Sequence, residues 1–219
     1  MSLVLVAVSV NRRGQLTLGY ALPNEFLRWT ELNNMALGLL TVLLYYLLIE
    51  HVRAVSAPSH RERGRRLLGA LFVTGAYLYA AGYGNHEVTN YLHGRFCASE
   101  PSRLCGVIAF NDESFSHGVF FMGFVLLSVA LMLSQAAAPD QMPLAWVDKA
   151  IVTVNALFAA GAIVANLAFE RIGLDLLVVT VVAVLAVFLL YRMPRQPILL
   201  YHTIAYSTGT AATLALKLA

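Results

Sequence analysis

The sequence predicts an all-α integral membrane protein, a single bundle of six transmembrane helices, or seven. Three observations carry that reading. The chain is 59% hydrophobic and only 12% charged, about half the charge of an average soluble domain. Its mean hydropathy is +0.69. Six stretches free of Asp, Glu, Lys and Arg reach or approach the roughly 20 residues that cross a bilayer core of about 30 Å. So few charges cannot cover the surface of a water-soluble globule of 219 residues. A soluble enzyme, a disordered chain and a nucleic-acid-binding domain are therefore excluded. The net charge of +3 matters through its placement more than through its sum.

The elements follow in order. The first ten residues, MSLVLVAVSV, are apolar but too short to span. They lack a basic start and no small-residue cleavage site follows, so no signal peptide is read. Residues 11–31 form a polar lead-in along the outer interface, anchored by the aromatic rings of Phe26 and Trp29. The lead-in unit is 1–31 and the helical bundle is 32–219. The six charge-free runs are 32–49, 67–85, 114–139, 150–169, 176–191 and 196–216. The fifth is the shortest, but Asp175 and Arg192 at its ends can reach the interface. A soluble helical bundle would carry charges every third or fourth residue instead. No internal repeat and no domain-dividing linker interrupts the bundle.

Charge placement orients it. The basic cluster from Arg61 to Arg66, joined by Arg53, lies between spans one and two. Arg192 and Arg195 lie between spans five and six, on the same face, and the positive-inside tendency makes that face cytoplasmic. Arg12, Arg13 and Arg28 on the other side weaken the bias. Cys97 and Cys105 fall between spans two and three, on the opposite, oxidising face, where a pair can close a disulfide. Two unrelated free cysteines are the alternative. Both termini are then outside, in a plasma or inner membrane.

Polar groups in or beside spans are costly, so each raises a functional question. Most have plain readings. Asn155 and Asn166 suit interhelical hydrogen bonds. The Ser-Thr-Gly-Thr run at 207–210 suits close packing, His51 and His60 are solvated among basic residues, and Lys217 snorkels at a helix end. Residues 82–93, GYGNHEVTNYLH, and 110–118, FNDESFSHG, stand apart. His86, Asn90 and His93 share one helical stripe if the helix continues through 93, because seven residues return to nearly the same face. Glu113 and His117 share another, at i and i+4. Consecutive antiparallel spans are neighbours, so the stripes meet near the outer rim of the bilayer. They bring His86, His93, His117 and Glu113 together, with Glu87, Asn111 and Asp112 close by. Three imidazoles and a carboxylate are ligand types for zinc or non-haem iron. The alternative is a wet, hydrogen-bonded helix end without metal.

In chain order His86 falls late in the second span, Asp112 and Glu113 open the third, and His202 lies in the last; WTELNN at 29–34 precedes the first. This pattern resembles the CREST superfamily of membrane hydrolases and receptors, which includes alkaline ceramidases and adiponectin-receptor-like proteins. The resemblance implies a zinc-activated water that cleaves an amide or ester in a lipid, with His202 as an additional ligand. Gly82 stands where the family has a serine, and Tyr206 where it has a second histidine. His202 lies about 9 Å from the cytoplasmic end of its span and His86 roughly 28 Å from the same face. The two share an ion only if a helix is broken, which Gly82 and Gly84 permit, or if the topology differs.

Three functions are open on these residues. The first is a metal-dependent hydrolase facing the outer side. His86, His117 and either His93 or Glu113 hold zinc, which lowers the pKa of a water at an open position to about 7. Asp112, Glu113 or Glu87 takes the proton, and the lipid enters from the membrane. The second is a b-type haem or other redox protein, with paired imidazoles on iron and Gly75, Gly82, Gly84, Gly118 and Gly123 leaving room for a porphyrin. The third is non-catalytic, a receptor or a subunit of a membrane complex. The expected partners are membrane lipid and a second copy or another membrane protein, with no nucleic acid.

Overall fold

Runs of Leu, Val, Ala and Phe without charge can satisfy their backbone polar groups in an apolar medium only by coiling into helices, and the six charge-free runs do so over nearly all of their described residues. In a computed structural model, the structure describes residues 2–13, 17–55, 62–97, 102–140, 143–167 and 174–218. The order is α1 (Ser2–Arg13), α2 (Trp29–Val55), α3 (Glu62–Phe96), α4 (Arg103–Phe110), a π-helical turn (Asn111–Phe115), α5 (Ser116–Ala137), α6 (Trp146–Leu167), α7 (Leu174–Arg192) and α8 (Pro197–Leu218). His60, Arg61 and the ERIG connection at 170–173 lie outside the described residues, as do the side chains of Arg12, Arg13, Asn166 and Asp175.

Among the described residues, four segments are long and apolar enough to cross a membrane: Trp29–Ala54, Gly64–Phe96, Arg103–Ala137 and Trp146–Ala165. The apolar part of α7, Leu176–Arg192, is shorter. Their outward faces are unusually apolar. Leu39, Leu43 and Leu47 of α2, Val73 and Tyr77 of α3, and Val184 and Phe188 of α7 are all exposed. Exposed Trp29, Trp146 and Tyr191 mark helix ends, where amphipathic rings suit a membrane interface.

The centre is a hairpin of α3 against α5. Segment Arg103–Ala137 is one continuous helical run of 35 residues, as long as α3. At 1.5 Å per residue each is about 52 Å long, well beyond a hydrocarbon core of about 30 Å. A Cys97–Cys105 disulfide joins their ends, as their spacing allows. The third span thus starts eleven residues before the charge-free run at 114, because Asp112 and Glu113 are accommodated inside the helix and do not end it. Leu127, Ala130, Leu131 and Met132 of α5 are wholly buried.

Small residues let the two backbones approach. A Cβ on Gly123 would lie 2.1 Å from the amide nitrogen of Tyr79, and one on Gly82 would lie 2.4 Å from that of Phe120. A Cβ on Gly75 would lie 2.9 Å from the nitrogen of Leu127. Three of the five glycines considered as room for a porphyrin are therefore filled by the facing helix; Gly84 and Gly118 have nothing within 4 Å. α3 stays helical through Gly82 and Gly84.

α2 packs on α3 and α5, α7 on α5, and α8 on α5, α6 and α7. α6 packs on α8, and its Ala156, Ala159, Ala160 and Ala162 are buried. Gly209 sits against Ile163, where an added Cβ would meet Cγ2 at 2.9 Å, which is the close packing expected of the 207–210 run. Asn155 differs from expectation: its amide donates to the Ile151 carbonyl of its own helix at 2.9 Å, on an exposed face. The lead-in is also more structured than its polarity suggests. α1 packs against α2 and α6, with Val8 against the core. Residues 17–28 form a looped turn that docks on α3, where Arg28 and Arg95 stack over Tyr91 at 5.1 and 5.7 Å.

Candidate metal centre

The site lies where α3 leaves the core and α4 passes into α5. Because α3 continues to Phe96, His86 and His93 do return to one face. Both meet the same carboxylate. His86 Nδ1 is 2.9 Å from Asp112 Oδ1, and His93 Nδ1 is 3.0 Å from Asp112 Oδ2. Asp112 is 0% exposed. Asn90, between the histidines in sequence, is exposed on the flank of the stripe.

The π-helical turn explains why Asp112, and not Glu113, points inward. The Ser116 N–H bonds the Asn111 carbonyl, an i→i+5 bond that inserts one residue into the helical repeat. Ser116 Oγ donates to the same carbonyl, and Asn85 Nδ2 donates to Ser116 Oγ at 2.6 Å. The widened turn is thus clamped from α3. It changes the phase on which the Glu113 and His117 pairing rests. Glu113 is exposed, while His117 turns into the bundle and packs its ring 4.9 Å from that of His86.

Among the described residues, one group of potential metal ligands results. Donor atoms of His93, Asp112 and Glu113 all lie within 4.8 Å of one another. His86 Nδ1 lies beside the second oxygen of Asp112, but its hydrogen bond runs to the Asp112 backbone carbonyl at 3.3 Å, and Oδ1 has no hydrogen-bond partner among the described residues. His86 and His117 border a cavity of about 160 Å³ that runs inward past Tyr83, Phe120, Phe121 and Phe124. Glu87, one residue from His86 and so about 100° around the helix, turns instead to α2. There its carboxylate accepts from Asn34 Nδ2 at 2.9 Å, and Asn34 Oδ1 accepts from Asn11 Nδ2 at 2.7 Å. This buried chain ties α1, α2 and α3 together.

His202 stands elsewhere. It is fully buried and lines a different cavity, with His51, Gln135 and Asp140. With α3 unbroken, the condition for His202 to share an ion with His86 through a helix break is not met. The supporting amides of Asn11 and Asn85 and the Ser116 hydroxyl carry no signal in sequence; Asn34 lies within the WTELNN stretch but its bond to Glu87 does not follow from spacing.

Fold and site together define the class: a helical chain with four bilayer-length apolar helices and a buried Asp–His cluster at the end of its central hairpin. Comparison with protein families, curated proteins and solved structures gives no match.

Proposed function

We propose that this chain is a multi-pass protein of the plasma or inner membrane that hydrolyses a lipid amide or ester at a metal centre on its outer side. In this reading α2, α3, the α4–α5 run, α6, α7 and α8 are six spans, with both termini outside. The observation that carries it is Asp112, a fully buried carboxylate with each oxygen facing an imidazole. A buried carboxylate is costly unless paired, and a dry helix hairpin needs none.

His93, Asp112 and Glu113 are the ligand set, of the nitrogen and oxygen types that zinc takes at about 2.0–2.2 Å. The exposed Glu113 is free to draw in toward the other two. A zinc ion there supplies an activated water near neutral pH. His86 fixes Asp112 from the protein side, as outer-shell imidazole–carboxylate pairs do. The aromatic cavity beside His86 and His117 offers an apolar surface for part of an acyl chain. Glu87, engaged by Asn34, holds the helices together. This reading agrees with the lipid hydrolysis that the CREST resemblance implies, while assigning the ion to residues of the hairpin alone.

The test is a screen of lipid amides and esters with tag-free protein reconstituted in bilayers, before and after chelation. Turnover should vanish on chelation, return with zinc and be absent in His93→Ala. A metal-loaded protein that turns over none of them would favour a receptor or complex subunit. Iron with a Soret band would favour the haem reading.

A further inference from the structure

The end of the bundle opposite Asp112 carries a basic seam between α2 and α3. The two helices pack antiparallel in one register. Asn34 meets Glu87, a Cβ on Gly38 would lie 3.0 Å from the Tyr83 ring, and a Cβ on Gly69 would lie 3.6 Å from Arg53 Nη2. The Arg53 guanidinium thus rests across α3, over a residue with no side chain. Arg65 and Arg66 stand four and three residues before Gly69, and both are exposed. At 100° per residue they fall about 40° to one side of Gly69 and about 60° to the other. Three arginines therefore flank one stretch of the seam. Arg53 Nη1 also donates to Glu50 Oε1 at 2.7 Å, so these three arginines and one glutamate carry two net positive charges. His51 lies about 200° around α2 from Arg53 and borders the cavity on the other side of that helix. Arg61 and the side chains of Glu62 and Arg63 lie outside the described residues.

Toward the membrane centre the seam is apolar and open. Val73 and Tyr77 lie about 40° and 80° around α3 from Gly69, on the Arg66 side, and are 66% and 72% exposed. Tyr46 and Leu43 lie about 20° and 80° around α2 from Arg53 and are exposed as well. Tyr45 and Ile49, on the other side of Arg53, are buried. The furrow therefore faces away from the core, and its apolar side chains begin where the arginines end. The charge-free run of α2 ends at 49 and that of α3 begins at 67, which puts the arginines at the level of lipid headgroups.

We propose that this seam binds an anionic glycerophospholipid, its phosphate held by Arg53, Arg65 and Arg66 and one acyl chain lying along Tyr46, Leu43, Val73 and Tyr77. Guanidinium forks match phosphate oxygens in geometry as well as in charge. A soluble phosphate has no use for the apolar furrow, and a choline head would set a cation beside the arginines. The proposal rests on the membrane placement of α2 and α3, not on the metal centre, and its test reads neither metal nor hydrolysis.

The full chain is first reconstituted in phosphatidylcholine nanodiscs, which reads membrane placement by itself. Native mass spectrometry follows, from detergent containing equal amounts of dioleoylphosphatidylglycerol and dioleoylphosphatidylcholine. A basic residue near the headgroups is worth about fivefold in anionic-lipid binding, so two net charges should favour phosphatidylglycerol adducts roughly thirtyfold. Arg65→Gln with Arg66→Gln should bring the ratio close to one. Glu50→Gln removes the acid and should raise the ratio about fivefold further. Arg192→Gln with Arg195→Gln removes the same charge from a different pair of helices at the same end, and should leave most of the preference in place. Failure to enter nanodiscs would overturn the membrane reading and this proposal together. Equal retention of the two lipids by the unmodified chain, no higher preference in Glu50→Gln, or an equal loss in the Arg192 and Arg195 variant would overturn this proposal alone.

Discussion

At one end of the bundle Asp112 receives His86 and His93 from a neighbouring helix, at 2.9 and 3.0 Å; at the other, the hydrogen bond of His202 goes to Ile198 of its own helix. Both regions bury imidazole in apolar surroundings. The first spends its polar groups between helices, so the cluster fixes how α3 and the α4–α5 run meet. The second spends one nitrogen on its own helix and leaves the other without a hydrogen-bond partner among the described residues, so it adds no side-chain hydrogen bond between helices. A buried histidine therefore means different things according to where its partner comes from. Removing a shared partner strands the groups it served, whereas removing an unmatched acceptor strands nothing.

Substitutions separate the two regions by size of effect. The largest belongs to the hairpin that carries the Asp112 cluster. Gly123→Val would push side-chain atoms into the Tyr79 backbone, where even a Cβ comes to 2.1 Å. Overpacking of this kind costs about 1–3 kcal/mol, and more where neither backbone can move. Size-exclusion chromatography in detergent should show aggregated protein in place of a single folded peak. Gly84→Ala, with nothing within 4 Å, should behave as the unmodified chain.

Asp112→Ala comes next. It strips both imidazoles of their carboxylate and should cost about 3–5 kcal/mol, as breaking a buried pair does. Thermal melting in detergent followed by circular dichroism should show a lower midpoint, with Asp112→Asn falling between the two. Replacing Cys97 and Cys105 by serine removes a short loop closure and should cost about 2–3 kcal/mol, read in the same way. His202→Phe should be milder, about 0.5–1.5 kcal/mol, since it gives up one hydrogen bond within its own helix, from Nδ1 to the Ile198 carbonyl, and a nitrogen without a partner among the described residues. A loss as large as that of Asp112→Ala would show that the two ends are built alike after all.

How much of this could be read in advance follows from which forces are local. Charge-free runs mark helices because an apolar medium leaves the backbone no alternative, so α6, α7 and α8 were legible to within a few residues, whereas α2 runs six and α3 eleven residues past the ends of their charge-free runs. The meeting of the 82–93 and 110–118 stretches was legible for the same reason: seven-residue spacing and antiparallel neighbours are geometry. The inward turn of Asp112 was not. It depends on one i→i+5 bond from Ser116 to Asn111, clamped by Asn85 from 26 residues upstream, and uniform helical spacing put Glu113 in its place. The extension of the third span to Arg103 was hidden too, because acidic residues next to a cysteine loop read as a helix end. The turn of Glu87 toward Asn34 rests on a contact 53 residues apart in sequence, which periodicity cannot see. The separate setting of His202 was partly legible, since its depth from the helix start already placed it far from His86.

The central claim is that the Asp112 cluster holds a metal ion, and elemental analysis of tag-free, detergent-purified protein tests it most directly. The unmodified chain should carry close to one zinc per molecule, His93→Ala and Asp112→Asn should carry almost none, and His202→Phe should keep the full amount. Zinc retained by Asp112→Asn, or absent from the unmodified chain after purification in zinc-replete buffer, would contradict the claim and leave the cluster as a buried polar clasp between two helices.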